Sequence, residues 1–450
     1  MKQSQAHGMR TSILGKQTLS WKLVFSWIFP CSSHTLTSCA CDIPAHTYTW
    51  SFEPNPSWSS VYASSDEIAL YFENFCDKYD LRKYCKLQHE VTKASWNEDT
   101  GNWNLEVTRR DTGNVIPDTC DILINACGIL NAWRWPTIPG FDEYKGKLLH
   151  TAKWDKNVDI EGKHVGLIGN GWASTSYRWP SARLKLLSHR SSGIQVLPAI
   201  HSQASKITTF IRSPTWVEPQ ALIQGFEQRY YSEEERREFE NKPDTLLQYR
   251  KRQESVLNAI FPLFISDSDF QKAYFRDMTE RMKARLQNET LEQHVIPKWG
   301  VGCRRLTAGV NYLETLVSEK VSVVYGDIQQ ITERGCVCDD NEYPVDILIC
   351  ATGFDTSFRP RFPIIGLGGK NLADEWAEEP KSYLGLAAPG IPNYFMFIGP
   401  NSPIGNGPVL SGIGQSSFSL MLFFPCWLIL SRGSSRLHAQ DDWSLANGKH

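Results

Sequence analysis

The sequence predicts an α/β protein with two doubly wound parallel sheets, one nested inside the other, and a helical insertion in the inner one. Three observations carry this. "KHVGLIGNG" (163–171) is a short apolar run ending in two glycines, the form of a buried parallel strand entering a tight turn. "CDILINACGIL" (120–130) is echoed by "VDILICATGFD" (345–355), each an acid, a buried strand, then a small residue, glycine and a loop. Between the echoes, Pro219–Gln293 is charged with apolar residues at helical spacing, as in "SEEERREFENKPDTLLQYRKRQESVLNAIF" and "DFQKAYFRDMTERMKARLQ".

After Gly171 the chain wanders through 172–190, and "SSGIQVLPAI" (191–200) then supplies a third glycine and apolar residues fit for a helix packed on a sheet. Joining Gly171 to Ser191 gives "GNGSSGIQ", a full GxGxxG whose glycines permit the turn, close approach to a pyrophosphate, and close helix packing. Gly169, Gly171, Ser191, Ser192 and Gly193 are therefore expected to form a Rossmann-like phosphate cradle at a helix N-terminus, split by an insertion. Looping out nineteen residues costs on the order of 2–3 kcal/mol in closure entropy, which a fold can absorb. "KITTFIRSPTW" places Arg212, followed by Ser213, where the second strand of such a unit should end. An acid there would suit the ribose of NAD, and Arg suits the 2′-phosphate of NADP, so NADPH is the expected cofactor. Taken alone, GNG is an ordinary turn and Arg212 a solvated strand-end charge; the flanking segments favour the cradle.

Composition narrows the class. With 450 residues and 41% apolar content the chain can build two or three domains with real cores. A net charge of −2 gives no field for nucleic acid or acidic membranes. The twelve cysteines show C-x-C pairs at 39/41 and 336/338 but no zinc-like CxxC pairs and no evident disulfide framework, which fits a reducing, cytoplasmic setting and predicts no metal site. "LVFSWIFPC" and "FSLMLFFPCWLIL" are shorter than the roughly 20 apolar residues of a spanning helix, and each is broken by Pro. The basic start leaves a signal peptide open for the first of them. "NWNLEVTRRDTGNVIPDTCDILINA" alternates polar and apolar around "DTGN", the sign of a hairpin.

"YKGKLLHTAKWD" matches FxGxxxHxxxW(P/D) at Gly146, His150, Trp154 and Asp155, with Tyr144 in the first place. This is the Baeyer–Villiger monooxygenase fingerprint, and further segments resemble that family in the right order. "CACDIPAHTYTWSFEPNPSWSSVYAS" is similar to its flavin-side segment, with Cys41, Asp42 and Tyr48 at cofactor-facing places. "WGVGCRRLTAGVNYLE" resembles its arginine loop, and "ATGFD", with Thr352 and Gly353, and "GPNSPIGNGPVL" resemble its later flavin-domain segments. The likeness runs from Cys39 to Ile413 outside the insertion.

The resemblance implies FAD and NADPH as cofactors and a ketone and O₂ as substrates. It places Arg305 near the reactive face of the flavin, Arg304 beside the NADP phosphate, and Asp42 as the acid that holds Arg305. A permanent guanidinium charge suits the anion that attacks a ketone carbonyl and then the oxyanion of the adduct, and a nearby carboxylate offsets its desolvation. His150 and Trp154 are implied to couple the two cofactor domains. Without the resemblance, His150 is a satisfied structural histidine, Arg304 and Arg305 a surface pair, and Asp42 a turn cap.

The expected organisation is an unmatched segment at 1–38, a first FAD-binding part at 39–143, an NADPH domain at 144–344 holding the insertion 172–190 and helices at 219–293, a second FAD part at 345–413, and an unmatched tail at 414–450. Residues 1–38 hold two glycines, Gly8 and Gly15, and none of the strand-and-GxGxxG pattern with which the family begins. The expectation is that the three unmatched segments are translated noncoding sequence or lesions of a decaying gene, and that the chain as written binds FAD weakly or not at all. The leading function is insertion of one O₂ oxygen beside a ketone, of the kind fungal members use in secondary metabolism. The alternatives are amine or sulfide oxidation by a related flavin monooxygenase, and a nonenzymatic remnant that binds NADPH or a partner.

Overall fold

The structure, a computed structural model, describes residues 40–128, 130–155, 157–170, 192–218, 225–303, 306–402 and 407–415. The segments 1–39, 171–191 and 416–450 lie outside the described residues, and with them most of what the sequence sets apart from its family pattern.

From Ala40 the chain makes a buried stretch and then helix α1 (Ser65–Lys78), capped by Ser64 accepting from the Glu67 amide and carrying Asp66 and Glu67 in its first turn. Ile68, Tyr71, Phe72 and Phe75 form its buried face at helical spacing. Strands β1 (His89–Asn97), β2 (Asn102–Arg109) and β3 (Val115–Cys120) are antiparallel neighbours. In β2, Trp103, Leu105 and Val107 are buried while Asn104 and Glu106 are exposed, the alternation expected of a half-covered sheet. The "DTGN" turn joins β2 to β3, with Gly113 at φ 73°. Then come β4 (Leu123–Asn125), β5 (Lys147–His150) and β6 (His164–Ile168).

Helix α2 (Ser192–His201) follows the insertion and buries Ile194, Val196, Leu197 and Ile200. After β7 (Lys206–Ile211) and the short β8 (Val217–Glu218) the helical insertion begins. It holds α3 (Glu233–Asn241), started by a Ser232/Glu235 capping box, α4 (Pro243–Ala259), with Pro at its first position, and α5 (Asp269–Leu286). In α6 (Glu289–Val295) the sequon residue Asn288 is the N-cap, its side chain accepting from the Leu291 amide at 3.0 Å. The chain returns through β9 (Thr307–Ala308), α7 (Tyr312–Leu316), β10 (Val321–Tyr325), the small meander β11 (Gln330–Ile331), β12 (Gly335–Cys338) and β13 (Asn341–Pro344), then β14 (Ile347–Cys350), β15 (Ile364–Ile365), α8 (Leu372–Glu375) and β16 (Tyr394–Met396).

The inner sheet is parallel with order β10-β7-β6-β14-β5. Its chain order reverses between β6 and β14, which makes their carboxyl ends the switch point where such sheets take ligands. The α/β fold with nested units is as the sequence predicts, and one boundary is corrected. The second echo, expected to open the second FAD part at 345, is β14, hydrogen-bonded between β5 and β6 of the inner sheet. The first echo is β4, which pairs in parallel with β16 in a separate sheet. Both strands are apolar and end in a glycine-bearing loop, β14 fully buried and β4 half-buried, so the pattern alone does not say which sheet each joins.

Candidate functional site

The carboxyl ends of β5, β6, β7 and β14 bring together His150, Gly169, Arg212 and Thr352 along one edge of the inner sheet. Gly169 has φ 98°, and a methyl group on it would lie 2.9 Å from the Ala351 carbonyl oxygen. A methyl on Gly193 would lie 2.0 Å from the carbonyl oxygen of Gly169. The two glycines are thus in contact across the insertion, in the relation of the first and third glycines of a fingerprint. Gly171 and Ser191 lie outside the described residues; Ser192 opens α2.

Asn170 is 6% exposed, with its side-chain amide against the buried Tyr312 phenol. A buried amide at a glycine turn beneath a helix N-terminus fits a phosphate oxygen. Arg212 follows the last residue of β7, 48% exposed, with Nε 3.8 Å from Asp327 Oδ1 beyond the end of β10, so its guanidinium is held loosely and is open to a second anion. Ser213 beside it is half-buried. These residues fit NADP.

The fingerprint residues each have a physical reason. Tyr144 donates from its hydroxyl to the Val345 carbonyl at 2.9 Å, and its ring closes over residue 146 so tightly that a methyl there would meet the phenol oxygen at 2.3 Å. Gly146 is the residue that fits. His150 is fully buried at the end of β5, and its Nδ1 accepts from the Ala152 amide at 3.0 Å. The proton of the neutral ring therefore sits on Nε2, which faces Thr352 Oγ1 at 3.2 Å, so the fingerprint is tied to the "ATG" turn. Trp154 packs against the inner core. Asp155 accepts from the Asn157 amide and from Lys147 Nζ at 3.1 Å, and these two partners hold its carboxyl below its ordinary range. Gly353, with φ 75°, follows Thr352 in the left-handed region. Burial pushes the Cys350 thiol up, and Cys336 up to about 12, so these thiols stay protonated beside the crevice.

Helix α2 gathers the remaining segments with three consecutive residues. Gly193 abuts Gly169. Ile194 faces Gly309, where a methyl would lie 2.9 Å from Ile194 Cγ2. Gln195 Nε2 donates to the Ala40 carbonyl at 3.3 Å, two residues before Asp42. The glycine turn, the Asp42 segment and the segment that follows Arg305 thus converge on one helical turn. Asp42 is half-buried; Cys41 and Tyr48 are buried in the aromatic core beneath it. Arg304 and Arg305 lie outside the described residues, with Cys303 and Leu306 described on either side.

Sequence reasoning missed the surroundings of His150. The Trp133 ring stacks on the imidazole at 4.7 Å and Trp135 meets it edge-on at 5.6 Å. "NAWRWP" showed the two indoles but nothing that pointed them at β5. Gln195 and Asn170 were also missed, although Asn170 stands inside the fingerprint.

A parallel sheet with a glycine turn at its switch point and an arginine after its second strand is the arrangement of a dinucleotide-binding unit. Residues 37–204 match the family described as flavin-binding monooxygenase-like. The chain is 38% identical over 375 residues to the FAD-binding monooxygenase tazF of Aspergillus terreus, covering 82% of this chain and 63% of that one. It is 29% identical to a Baeyer–Villiger monooxygenase of Pseudomonas aeruginosa, over 83% of this chain and 65% of the relative. Among solved structures it resembles OTEMO in complex with FAD and NADP, with TM-score 0.71 and 26% identity over 89% of this chain and 78% of that chain. The chain thus resembles flavin-binding monooxygenases over more than four fifths of its own length. It spans about three fifths of the length of the curated relatives it matches.

Proposed function

We propose that this chain carries the NADPH-binding and arginine-bearing part of a Baeyer–Villiger monooxygenase, which inserts one oxygen of O₂ beside a ketone to give an ester or lactone. The supporting observation is the convergence on α2, where Gly193, Ile194 and Gln195 meet the glycine turn, the flank of the arginine pair and the Asp42 segment. NADPH, when bound, supplies the hydride, and the flavin activates O₂ for transfer to the carbonyl.

The chain's own residues do the holding. Gly169 and Gly193 let the pyrophosphate approach the backbone, Asn170 turns its buried amide from Tyr312 to a phosphate oxygen, and Arg212 takes the 2′-phosphate by releasing Asp327. We assign the β4–β16 pair to the flavin side, with Asp42 on the segment tied to α2 through Ala40. Asp42 fixes the direction of the Arg305 guanidinium, whose charge stabilises the oxyanion of the ketone adduct. The neutral tautomer of His150 links the fingerprint to Thr352, so displacement of one cofactor turn is felt by the other.

No helix among the described residues is long and apolar enough to cross a membrane, and we place the protein in the cytoplasm. The substrates are a small ketone and O₂, in fungal secondary metabolism, and no nucleic acid takes part. The test is to reconstitute the purified chain with FAD and supply NADPH, ¹⁸O₂ and either a cyclic ketone or a thioether. Label in a lactone supports the reading. Label in a sulfoxide alone makes the protein an S-oxidising relative, and NADPH binding without either product makes it a nucleotide-binding remnant.

A further inference from the structure

Arg212 and Asp327 leave the ends of two paired strands side by side. Ile211, the last residue of β7, is the register partner of Tyr325, the last residue of β10. Arg212 follows the first directly, and Asp327 follows the second after a single glycine. Their charges meet with Nε 3.8 Å from Oδ1, and among the described residues no other carboxylate lies within 4 Å of Arg212.

The Asp327 side chain is 80% exposed, so burial does not place it; its neighbours in the chain do. Gly326 has φ 116°, a conformation that suits glycine, and its amide donates to the Ile211 carbonyl at 3.2 Å. Tyr325 is pinned twice, since Cys338 Sγ donates to its carbonyl at 3.4 Å and the His294 ring stacks on its ring at 4.0 Å. Beyond Asp327, Ile328 packs on the core that holds Cys336 and Cys338, and the Gln329 amide donates to the Val337 carbonyl at 2.9 Å. A fixed stretch of backbone therefore presents the acid to Arg212. Asp339 adds a second negative charge to this corner, with its Oδ1 3.7 Å from where a methyl on Gly326 would stand.

A 2′-phosphate brought to Arg212 must displace the Asp327 carboxylate and then remain beside it. Repulsion between a phosphate dianion and a carboxylate about 4 Å away is felt even in water. The ribose of NAD has a hydroxyl at that place, which donates to a carboxylate and leaves the ion pair whole. We propose that Asp327 is the specificity-determining residue of the nucleotide site: it competes with the 2′-phosphate for Arg212 and accepts from the ribose 2′-hydroxyl of NAD, so that the site takes both dinucleotides. This rests on the assignment of Arg212 to the 2′-phosphate made above.

The experiment measures NADP⁺ and NAD⁺ affinities of the purified chain by calorimetry, for the wild type, Asp327→Ala, Asp339→Asn, Arg212→Ala and the Arg212→Ala/Asp327→Ala double variant. Thermal unfolding checks that each variant folds, and a side chain as exposed as that of Asp327 leaves the unfolding temperature unchanged. The wild type should bind both nucleotides. Asp327→Ala should bind NADP⁺ about fivefold more tightly, the scale of an exposed ion pair, and NAD⁺ about threefold more weakly, the scale of one hydrogen bond. Opposite signs for the two nucleotides are a result that a merely structural role would not give. Asp339→Asn, which changes the charge of the corner without touching Arg212, should raise NADP⁺ affinity less and leave NAD⁺ alone. The gain from Asp327→Ala should shrink in the Arg212→Ala background, because the competition is then absent. A wild type without NAD⁺ binding, an unchanged affinity for either nucleotide in Asp327→Ala, or shifts of one sign for both, overturns the proposal. Wild-type NADP⁺ affinity in Arg212→Ala overturns the assignment of Arg212 and this inference with it, whereas a loss there beside an inert Asp327→Ala overturns the inference alone.

Discussion

Replacing Gly193 with Ala tests the split phosphate cradle directly. The added methyl would stand 2.0 Å from the Gly169 carbonyl oxygen, 3.0 Å from its carbon and 3.4 Å from Ala351 Cβ. Carbon and oxygen rest in contact at about 3.3 Å, so the first turn of α2 and the turn after β6 must part by more than about 1 Å. The obstructing atoms are backbone, and no rotamer relieves them. Overpacking of this kind costs about 1–3 kcal/mol, and a misplacement of about 1 Å at a binding helix weakens the contacts aimed from it by tenfold or more. NADP⁺ titration calorimetry and thermal unfolding are the assays, with Gly414→Ala as control, since a methyl there meets nothing within 4 Å. Wild-type affinity together with wild-type unfolding in Gly193→Ala would show that Gly169 and Gly193 do not touch, and the two halves of the fingerprint would then be unrelated.

Arg212→Ala should weaken NADP⁺ binding about tenfold and leave NAD⁺ within a factor of two, because one phosphate contact is lost; equal losses for both nucleotides would place Arg212 away from the 2′-phosphate. His46 is 1% exposed among the rings of Tyr231, Phe239 and Tyr249, and burial first, then the Arg250 charge, lower its pKa to about 3 against a weaker opposing pull from the Asn55 backbone. Its neutral form is the folded form, so the unfolded state takes up the proton first, and stability present above about pH 6.5 falls as pH drops towards 3, by up to about 2 kcal/mol at pH 5. Denaturant titrations at pH 7 and 5 should show His46→Phe losing less than wild type between them, and parallel losses would sink the assignment. Gly146→Ala should cost about 1–3 kcal/mol in the same titration, since the new methyl meets the Asp346 carbonyl oxygen at 2.7 Å as well as the Tyr144 phenol.

What the sequence disclosed depended on whether a residue's reason was local. Gly169 and Gly193 were legible because the sterics of a strand–turn–helix leave no room for a side chain, whatever lies between them. The position of Arg212 directly after β7 was legible because the length of a βαβ unit fixes where its second strand ends. The boundary at 345 was misread because β14 and β4 share one local pattern, and which sheet a buried strand joins is decided by pairing partners far along the chain. Trp133 and Trp135 carried no periodicity, and Gln271 meets Val301 across thirty residues, so neither contact left a trace in spacing. The sequence offered the groups expected to touch a ligand, and left hidden the contacts that surround them.

The nineteen residues at 172–190 bear on this most sharply. Their closure entropy is on the order of 2–3 kcal/mol, while Ile194, Leu197 and Ile200 of α2 are wholly buried and contribute about 1.5–3 kcal/mol each. Docking of α2 therefore outweighs the cost of the insertion, and packing of α2 on the inner core supports the Gly169–Gly193 contact. Deleting 172–190 joins Gly171 to Ser191 and puts Gly169 and Gly193 at the first and third glycine places of an unbroken fingerprint. The shortened chain should unfold at the same or a higher temperature and bind NADP⁺ more tightly, by calorimetry, because the turn would then lead directly into the helix N-terminus. Loss of NADP⁺ binding in a shortened chain that still folds would mean that residues 172–190 themselves hold the nucleotide, and the cradle would have to be assigned anew.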